Sequence, residues 1–127
     1  MFDENKRKDL MEMARVGFVS GLEIYVNTDD AGNIPHFHIR DSVDWEKFHT
    51  CVQIEKAEYF IHGNKNDLLN HKQKVALNTF MNQAPSLSKY ADRFKNNWEL
   101  VCFLWDINNS EMIISDDVKQ PDYSKLT

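Results

Sequence analysis

Two segments of alternating apolar and polar residues, joined by a turn, constrain the fold of this chain most. Residues 22–27 place Leu, Ile and Val at alternate positions, with Glu, Tyr and Asn between them. This period of two is typical of a half-buried β-strand. Residues 28–33 are rich in Asp, Gly and Asn, which favour turns. Pro35 then restarts an extended segment because its ring fixes φ. The pattern predicts an antiparallel pair, residues 21–28 with residues 35–41.

Two further segments rich in β-branched and aromatic residues follow this pair. We predict them as strands over residues 50–56 and residues 58–62. The inward positions change from even to odd numbers between them, which implies a tight turn or a bulge around residues 55–57. The side chains predicted to face inward are Val52, Ile54, Tyr59 and Ile61.

Residues 4–15 and residues 67–83 are predicted as helices. The first segment is rich in helix formers. The second begins at Asp67, which can cap a helix, and ends before Pro85. Its apolar residues recur at helical spacing, so they are predicted to form its buried side. They are Leu68, Leu69, Val75, Ala76, Phe80 and Met81.

Residues 88–108 are predicted as the last helix. Large side chains recur in it at i, i+4 or near that spacing, which indicates a stripe that packs in the core rather than a platform for stacking bases. Residues 112–115 are predicted to add a short strand, and residues 116–127 are predicted as a polar tail. The stripe consists of Tyr90, Phe94, Trp98, Cys102 and Trp105.

The order of these elements predicts the α+β class. Strands grouped together and followed by helices favour a small antiparallel sheet of three to five strands, with two C-terminal helices packed on one face and a short N-terminal helix. The length of 127 residues and the lack of a linker or repeat predict a single domain over residues 1–127. The composition, 42% hydrophobic with eight Phe, four Tyr and three Trp, can form one sizeable core.

Charge and cysteine usage restrict the compartment and the partners. The net charge of −5 disfavours nucleic acid, since counterion release requires a basic face. Residues 1–15 lack the apolar segment of a signal peptide, and no apolar run reaches the ~20 residues of a membrane helix. Cys51 and Cys102 lie among apolar neighbours and outside any C-x-x-C pair, which predicts buried free thiols in a reducing compartment. We therefore expect a cytoplasmic protein with no membrane partner.

The strand that follows Pro35 carries the main candidate site. Side chains alternate along a strand, so Phe37 and Ile39 are predicted to point to the core. His36, His38 and Arg40 then share the opposite face. Two imidazoles at i and i+2 lie roughly 6 to 7 Å apart at Cα, a spacing that can chelate one divalent ion such as zinc or manganese. The same row can bind an anion, because Arg40 is permanently charged and histidine is protonated below about pH 6.5.

Three interpretations of His36 and His38 stay open: a metal site, a polar binding face without metal, or histidines that hydrogen-bond the preceding loop. A zinc site needs three or four protein ligands, and the other histidines, His49, His62 and His71, lie in separate segments. Motifs of nucleophilic or phosphate-binding enzymes, including a Cys-His signature, are absent, so no catalytic residue is assigned.

Five short segments carry a resemblance to a known family: I-Y-V-N at 24–27, P-H-F-H at 35–38, V-Q-I at 52–54, I-H-G at 61–63 and N-W-E-L at 97–100. Over about residues 16–108 the chain resembles the bacterial family catalogued as domain of unknown function 4160. The family's turn carries two or three prolines where this chain has Pro35 alone, and the segment from 41 to 49 is longer here. The resemblance implies the strand and helix order above and a shared polar patch around the two histidines of P-H-F-H. It also implies a small accessory protein paired with another protein, in a toxin–antitoxin-like or phage–host conflict setting.

The leading functional hypothesis is a small binding module that acts through a protein partner and is not an enzyme. Its binding face is predicted to consist of His36, His38 and Arg40, with Tyr25 from the adjacent strand. No cofactor is expected for this function.

Two alternatives belong to other functional classes. The first is a metal-dependent hydrolase or nuclease in which His36 and His38 bind the metal, with Asp29, Asp30 or Asp41 as a further ligand or base. The second is a regulator that binds RNA or DNA through clustered cations. The cations that would have to cluster are Arg40, Lys72, Lys74, Arg93 and Lys95.

Overall fold

In a computed structural model, the described residues of the protein form a four-stranded antiparallel sheet with two helices and a short C-terminal 3-10 helix. The strands follow one another in the sheet in chain order. This architecture confirms the predicted α+β class. The structure describes residues 13–27, 34–61, 63, 65–109 and 113–127. The elements are β1 (Met13–Val19), β2 (Leu22–Asn27), β3 (His36–Asp41), β4 (His49–Gln53), α1 (His71–Met81), α2 (Asn97–Asn108) and the 3-10 helix Tyr123–Lys125.

The pairing of β2 with β3 confirms the antiparallel pair predicted from the alternating residues. Leu22 lies opposite Asp41 and Tyr25 lies opposite His38, with the strands in continuous register between these points. Because the register is fixed along this pair, the side chains at alternate positions of both strands lie on a common face of the sheet.

The predicted helix over residues 4–15 is wrong at its C-terminal end. Residues 13–15 belong to β1, which pairs with β2, while residues 4–12 lie outside the described residues. The two strands are joined at Ser20 and Gly21, which both have positive φ, as tight hairpin turns require. The fully buried Val16 sits at an irregularity in the pairing. Pairing with β2 and burial of Val16 therefore outweigh local helix propensity.

β4 confirms the predicted strand over 50–56 in its first half. The strand predicted over residues 58–62 is wrong for residues 58–61, and residue 62 lies outside the described residues. A single bridge, between Val52 and Tyr59, pairs that segment with β4 in the described part of the chain. The backbone N–H of Tyr59 donates instead to the C-terminal Thr127 at 3.0 Å. Ile61, expected to face inward, is 72% exposed.

α1 is shorter than predicted, and its cap lies three residues after the expected one. Asn70 caps it through a capping box with Gln73, whereas the Asp67 carboxylate accepts the backbone N–H of His49 at 2.9 Å. Leu69, Phe80 and Met81 are buried as predicted, together with Leu77, while Leu68 and Val75 are exposed.

α2 begins at residue 97, so the predicted helix over residues 88–108 is confirmed over residues 97–108 and wrong over residues 88–96. Turns occupy that segment, and Asn96 caps α2 by accepting the backbone N–H of Glu99 at 2.9 Å. The later start places Tyr90 and Phe94, the first two members of the predicted stripe, outside the helix. Of the stripe, Trp105 is fully buried and the other four members are half-buried. The buried apolar residues of α2 are Leu100, Val101, Leu104 and Trp105.

The C-terminal segment is part of the core and not a polar tail. Tyr123 and Leu126 are buried, and the Tyr123 hydroxyl donates to the Ile54 carbonyl at 2.8 Å. Burial raises the pKa of Tyr123 above its ordinary value. The strand predicted over residues 112–115 is not formed by residues 113–115, and residue 112 lies outside the described residues.

Helices α1 and α2 cover the sheet and enclose one hydrophobic core. α1 packs so closely on β1 that a Cβ at Gly17 would lie 2.9 Å from the Phe80 ring. α2 contacts β1 and β2. None of the helices in the described ranges has the length and apolar character needed to cross a membrane. The core includes residues from six different elements, namely Ile24, Ile39, Val52, Leu77, Trp105 and Tyr123.

Candidate metal site on the sheet

The register of β3 and β4 brings two pairs of potential metal ligands together. His38 lies directly opposite Cys51, and Arg40 lies opposite His49. Because alternate residues share a face, the H-x-H pair of β3 and the H-x-C pair His49 and Cys51 of β4 lie on the same face of the sheet. Sequence reasoning identified the first pair and missed the second, although its i, i+2 spacing is the same.

His36, His38 and Cys51 form a buried cluster that can hold a metal ion. One ligand atom from each of the three side chains lies within 4.8 Å of the other two. The Cys51 Sγ and the His38 Nδ1 are 3.3 Å apart. All three side chains are shielded from solvent, so any ion held there would be bound in a low-dielectric interior, where thiolate and imidazole ligands interact with it strongly.

Hydrogen bonds orient both histidines of β3. The His36 Nδ1 donates to the Ile34 carbonyl at 2.7 Å, which places the proton on Nδ1 and makes Nε2 the basic nitrogen. The His38 Nε2 accepts from the Asn27 side-chain amide at 3.2 Å. In this arrangement the proton of His38 is on Nδ1, which donates a hydrogen bond to the His49 Nε2 at 3.0 Å.

Aromatic side chains line the cluster on two sides. The Phe60 ring centroid lies 4.4 Å from that of His36, and the Trp105 ring centroid lies 5.3 Å from it. The Tyr25 ring stacks on His38 at 4.8 Å with an interplanar angle of 19°. These contacts exclude water from the imidazole edges and hold the rings in place, which is the preorganisation that a specific site needs.

Tyr25 and Arg40, the other two residues of the predicted binding face, contact each other beside the cluster. The Arg40 guanidinium lies 4.6 Å from the Tyr25 ring centroid and donates to the buried Glu23 carboxylate at 3.0 Å. Arg15 forms a second ion pair with Glu23 at 3.2 Å. The charge of Arg40 is therefore offset by Glu23, and its contact with Tyr25 supports the position of the Tyr25 ring over His38.

The remaining residues considered for the site lie elsewhere or outside the described ranges. Asp41 accepts the backbone N–H groups of Val43 and Asp44 at 2.9 and 2.8 Å. These bonds hold the pKa of the Asp41 carboxyl below its usual value and commit it to the turn after β3. His71 is exposed at the start of α1. Asp29, Asp30 and His62 lie outside the described residues.

The two cysteines, both free thiols, differ in their surroundings. Cys51 is fully buried in the cluster, as predicted for a buried thiol. Cys102 is half-buried on α2, where burial and the nearby carboxylates of Asp106, Glu55 and Glu99 raise the pKa of its thiol to about 12. Cys102 is therefore a neutral thiol near pH 7, and it is a matched control for experiments on Cys51.

No family model, curated protein or solved structure matches this chain. The resemblance to the family with the P-H-F-H motif therefore stays a prediction, as do the pairing and the setting that it implies. The functional argument consequently depends on the geometry of the cluster.

Proposed function

We propose that this protein binds one transition-metal ion through His36, His38 and Cys51. The observation that carries the proposal is the convergence of three buried ligand atoms within 4.8 Å of one another. Imidazole and thiolate donors suit zinc and similar borderline or soft ions, whereas manganese and magnesium prefer oxygen ligands. Of the two ions that the H-x-H spacing suggested, zinc is thus the better match.

The interatomic distances support coordination of this kind. Zinc bonds of about 2.0–2.1 Å to nitrogen and 2.3 Å to sulfur, at tetrahedral angles, place a nitrogen and a sulfur ligand about 3.5 Å apart. The Cys51 Sγ and the His38 Nδ1 are 3.3 Å apart, so this pair of ligands needs little movement to admit the ion. The bond from His36 Nδ1 to the Ile34 carbonyl is the outer contact that metal-binding histidines usually make.

Metal binding is better supported than metal-dependent hydrolysis. A hydrolytic site keeps an open coordination position and a route for substrate, but the three ligands are buried. Within the described ranges no carboxylate joins the cluster, and Asp41 is committed to a turn. Hydrolysis stays a prediction, as does nucleic-acid binding, for which Arg40 would have to exchange its ion pair with Glu23 for a phosphate.

We expect the untagged protein, purified from zinc-supplemented cells, to contain near-stoichiometric metal by elemental mass spectrometry. The Cys51→Ala variant should lose most of it because a thiolate ligand is removed, and Cys102→Ala should retain it. Wild-type protein that carries no metal and takes none up on titration with zinc or cobalt would contradict the proposal.

A second function, binding of a protein partner, is favoured by the turn between β3 and β4. Val43 is 94% exposed and Trp45 is 55% exposed. Two hydrogen bonds hold the turn in shape: the Asp44 N–H donates to the Asp41 carboxylate, and the Lys47 N–H donates to the Asp44 carbonyl at 3.0 Å. Trp45 also lies edge-on to His49, with ring centroids 6.5 Å apart. A rigid turn that presents an exposed Trp suits a protein contact, because Trp is enriched at binding hot spots.

A photo-cross-linking amino acid at Val43 tests this second function in the native host. We expect a covalent adduct with one defined protein, and we expect Trp45→Ser to abolish the adduct by removing the aromatic anchor. The matched control carries the cross-linker at the exposed Lys72 of α1. The same set of adducts from both positions would show that the turn has no specific partner.

A further inference from the structure

We propose that His49 is the fourth ligand of this ion, which makes the site a closed set of three imidazoles and one thiolate. The inference rests on the proposed function, because it concerns the coordination of the same ion. His49 lies outside the group of three convergent ligands, and it contacts that group through a hydrogen bond with His38.

The distance between His49 and His38 is close to that of two ligands on one ion. Their facing nitrogens, Nε2 of His49 and Nδ1 of His38, are 3.0 Å apart. Two nitrogens bound to zinc at about 2.0–2.1 Å and at a tetrahedral angle are about 3.3 Å apart. An ion can therefore replace the shared proton between these nitrogens with small side-chain rotations. The Cys51 Sγ lies 3.3 Å from the same His38 Nδ1.

The ring and the backbone of His49 are both held by the segment that follows β4. The His49 Nδ1 donates to the Lys65 carbonyl at 3.3 Å, which directs Nε2 toward the cluster. The backbone N–H of His49 donates to the Asp67 carboxylate, and the backbone N–H of Asp67 donates back to the His49 carbonyl, both at 2.9 Å. An imidazole whose second nitrogen donates to a carbonyl is the usual arrangement for a metal ligand.

The proton balance of binding is simple in this arrangement. The Cys51 thiol loses one proton to solvent when the ion binds its sulfur. The His38 proton moves from Nδ1 to Nε2, so that Nδ1 coordinates the ion and the ring stays neutral. The Asn27 side chain, which now donates to Nε2, then turns its amide oxygen to accept the new N–H. Asn27 is thus a positioning residue for His38.

A fourth protein ligand determines what kind of site this is. With His36, His38 and Cys51 alone, one coordination position stays open to water, as in catalytic zinc sites. With His49 the site is closed, as in sites that stabilise a fold. His49 is half-buried, in contrast to the other three, so it is the ligand through which the ion can enter and leave.

Titration with Co²⁺, which takes the geometry of zinc and reports it in its visible spectrum, tests the inference. We expect wild-type protein to give the strong absorption of four-coordinate cobalt with a thiolate-to-cobalt band. We expect His49→Gln to bind Co²⁺ at least about tenfold more weakly, and added azide should change its spectrum by occupying the open position. Azide should leave the wild-type spectrum unchanged. The control is His71→Gln, at the exposed start of α1, which should behave as wild type.

A second substitution guards against a variant that simply unfolds. His49→Cys keeps a ligand at this position, so we expect it to restore tight binding and to strengthen the thiolate-to-cobalt band. Wild-type affinity and an azide-insensitive spectrum in His49→Gln would overturn the fourth ligand. If Cys51→Ala nevertheless loses the metal, the three-residue site stands. Failure of wild-type protein to bind cobalt or zinc would overturn both proposals.

Discussion

Zinc at a hundredfold excess over its Kd should raise the free energy of unfolding by about 2.7 kcal/mol over protein in chelator. The physical reason is that the ligands converge only in the folded chain. His36 and His38 lie on β3 and Cys51 lies on β4, so unfolding separates the strands and disperses the site. Binding free energy at such a site is therefore folding free energy.

Urea unfolding with zinc or with chelator measures this difference, and two cysteine variants show where it originates. In Cys51→Ala the zinc-dependent increment should largely disappear, because the thiolate is lost from the cluster. In Cys102→Ala it should persist, since that thiol lies on α2 and has a pKa raised to about 12 by burial and nearby carboxylates. A full increment in Cys51→Ala would place the stabilising zinc at another site.

The sheet and half of the site could be predicted because they depend on local pattern. Alternation along residues 22–27 and 36–41 determines which side chains share a face, so Tyr25, His36, His38 and Arg40 could be grouped from sequence. Their contacts, including the stacking of Tyr25 on His38, follow from the register of β2 and β3.

The rest of the site depends on the pairing of β3 with β4, which local pattern does not specify. Cys51 faces His38 because the seven residues from 42 to 48, including the turn at Trp45, set the register between the strands. Alternation alone fits several registers, and a shift by one residue would move Cys51 to the other face. His49 is likewise positioned by its partners Lys65 and Asp67 in a later segment.

Helix boundaries and the C-terminal segment were mispredicted for a related reason. Asp67 has the chemistry of a cap, yet its carboxylate binds the His49 backbone, and Asn70 caps α1 instead. Residues 116–127 are polar on average, which predicted an exposed tail. Two apolar side chains, Tyr123 and Leu126, are nevertheless buried and hold this segment in the core. Tertiary contacts outweigh local preference at each of these points.

Tyr123→Ala should lower the free energy of unfolding by about 3–5 kcal/mol, as expected when a fully buried aromatic side chain is truncated. Its ring packs edge-on against Phe37, with centroids 5.7 Å apart, and its hydroxyl donates to the Ile54 carbonyl at 2.8 Å. Its backbone N–H also donates to the Asn78 side chain of α1 at 3.0 Å. Truncation thus leaves a cavity and removes one of two donors to the Ile54 carbonyl, which still accepts from the Trp98 Nε1–H at 3.0 Å.

Urea unfolding of two further variants separates these contributions. Tyr123→Phe keeps the ring and removes its hydrogen bond to the Ile54 carbonyl, which the Trp98 indole N–H still satisfies. It should therefore cost about 0.5–1.5 kcal/mol, the net contribution of a typical hydrogen bond. Tyr90→Ala truncates a half-buried tyrosine in the turns before α2 and should cost less than Tyr123→Ala, because solvent already reaches that site. If Tyr123→Ala costs no more than Tyr90→Ala, the C-terminal segment does not hold the sheet to α1. The segment would then be a polar tail that contributes little to stability, as its composition predicted.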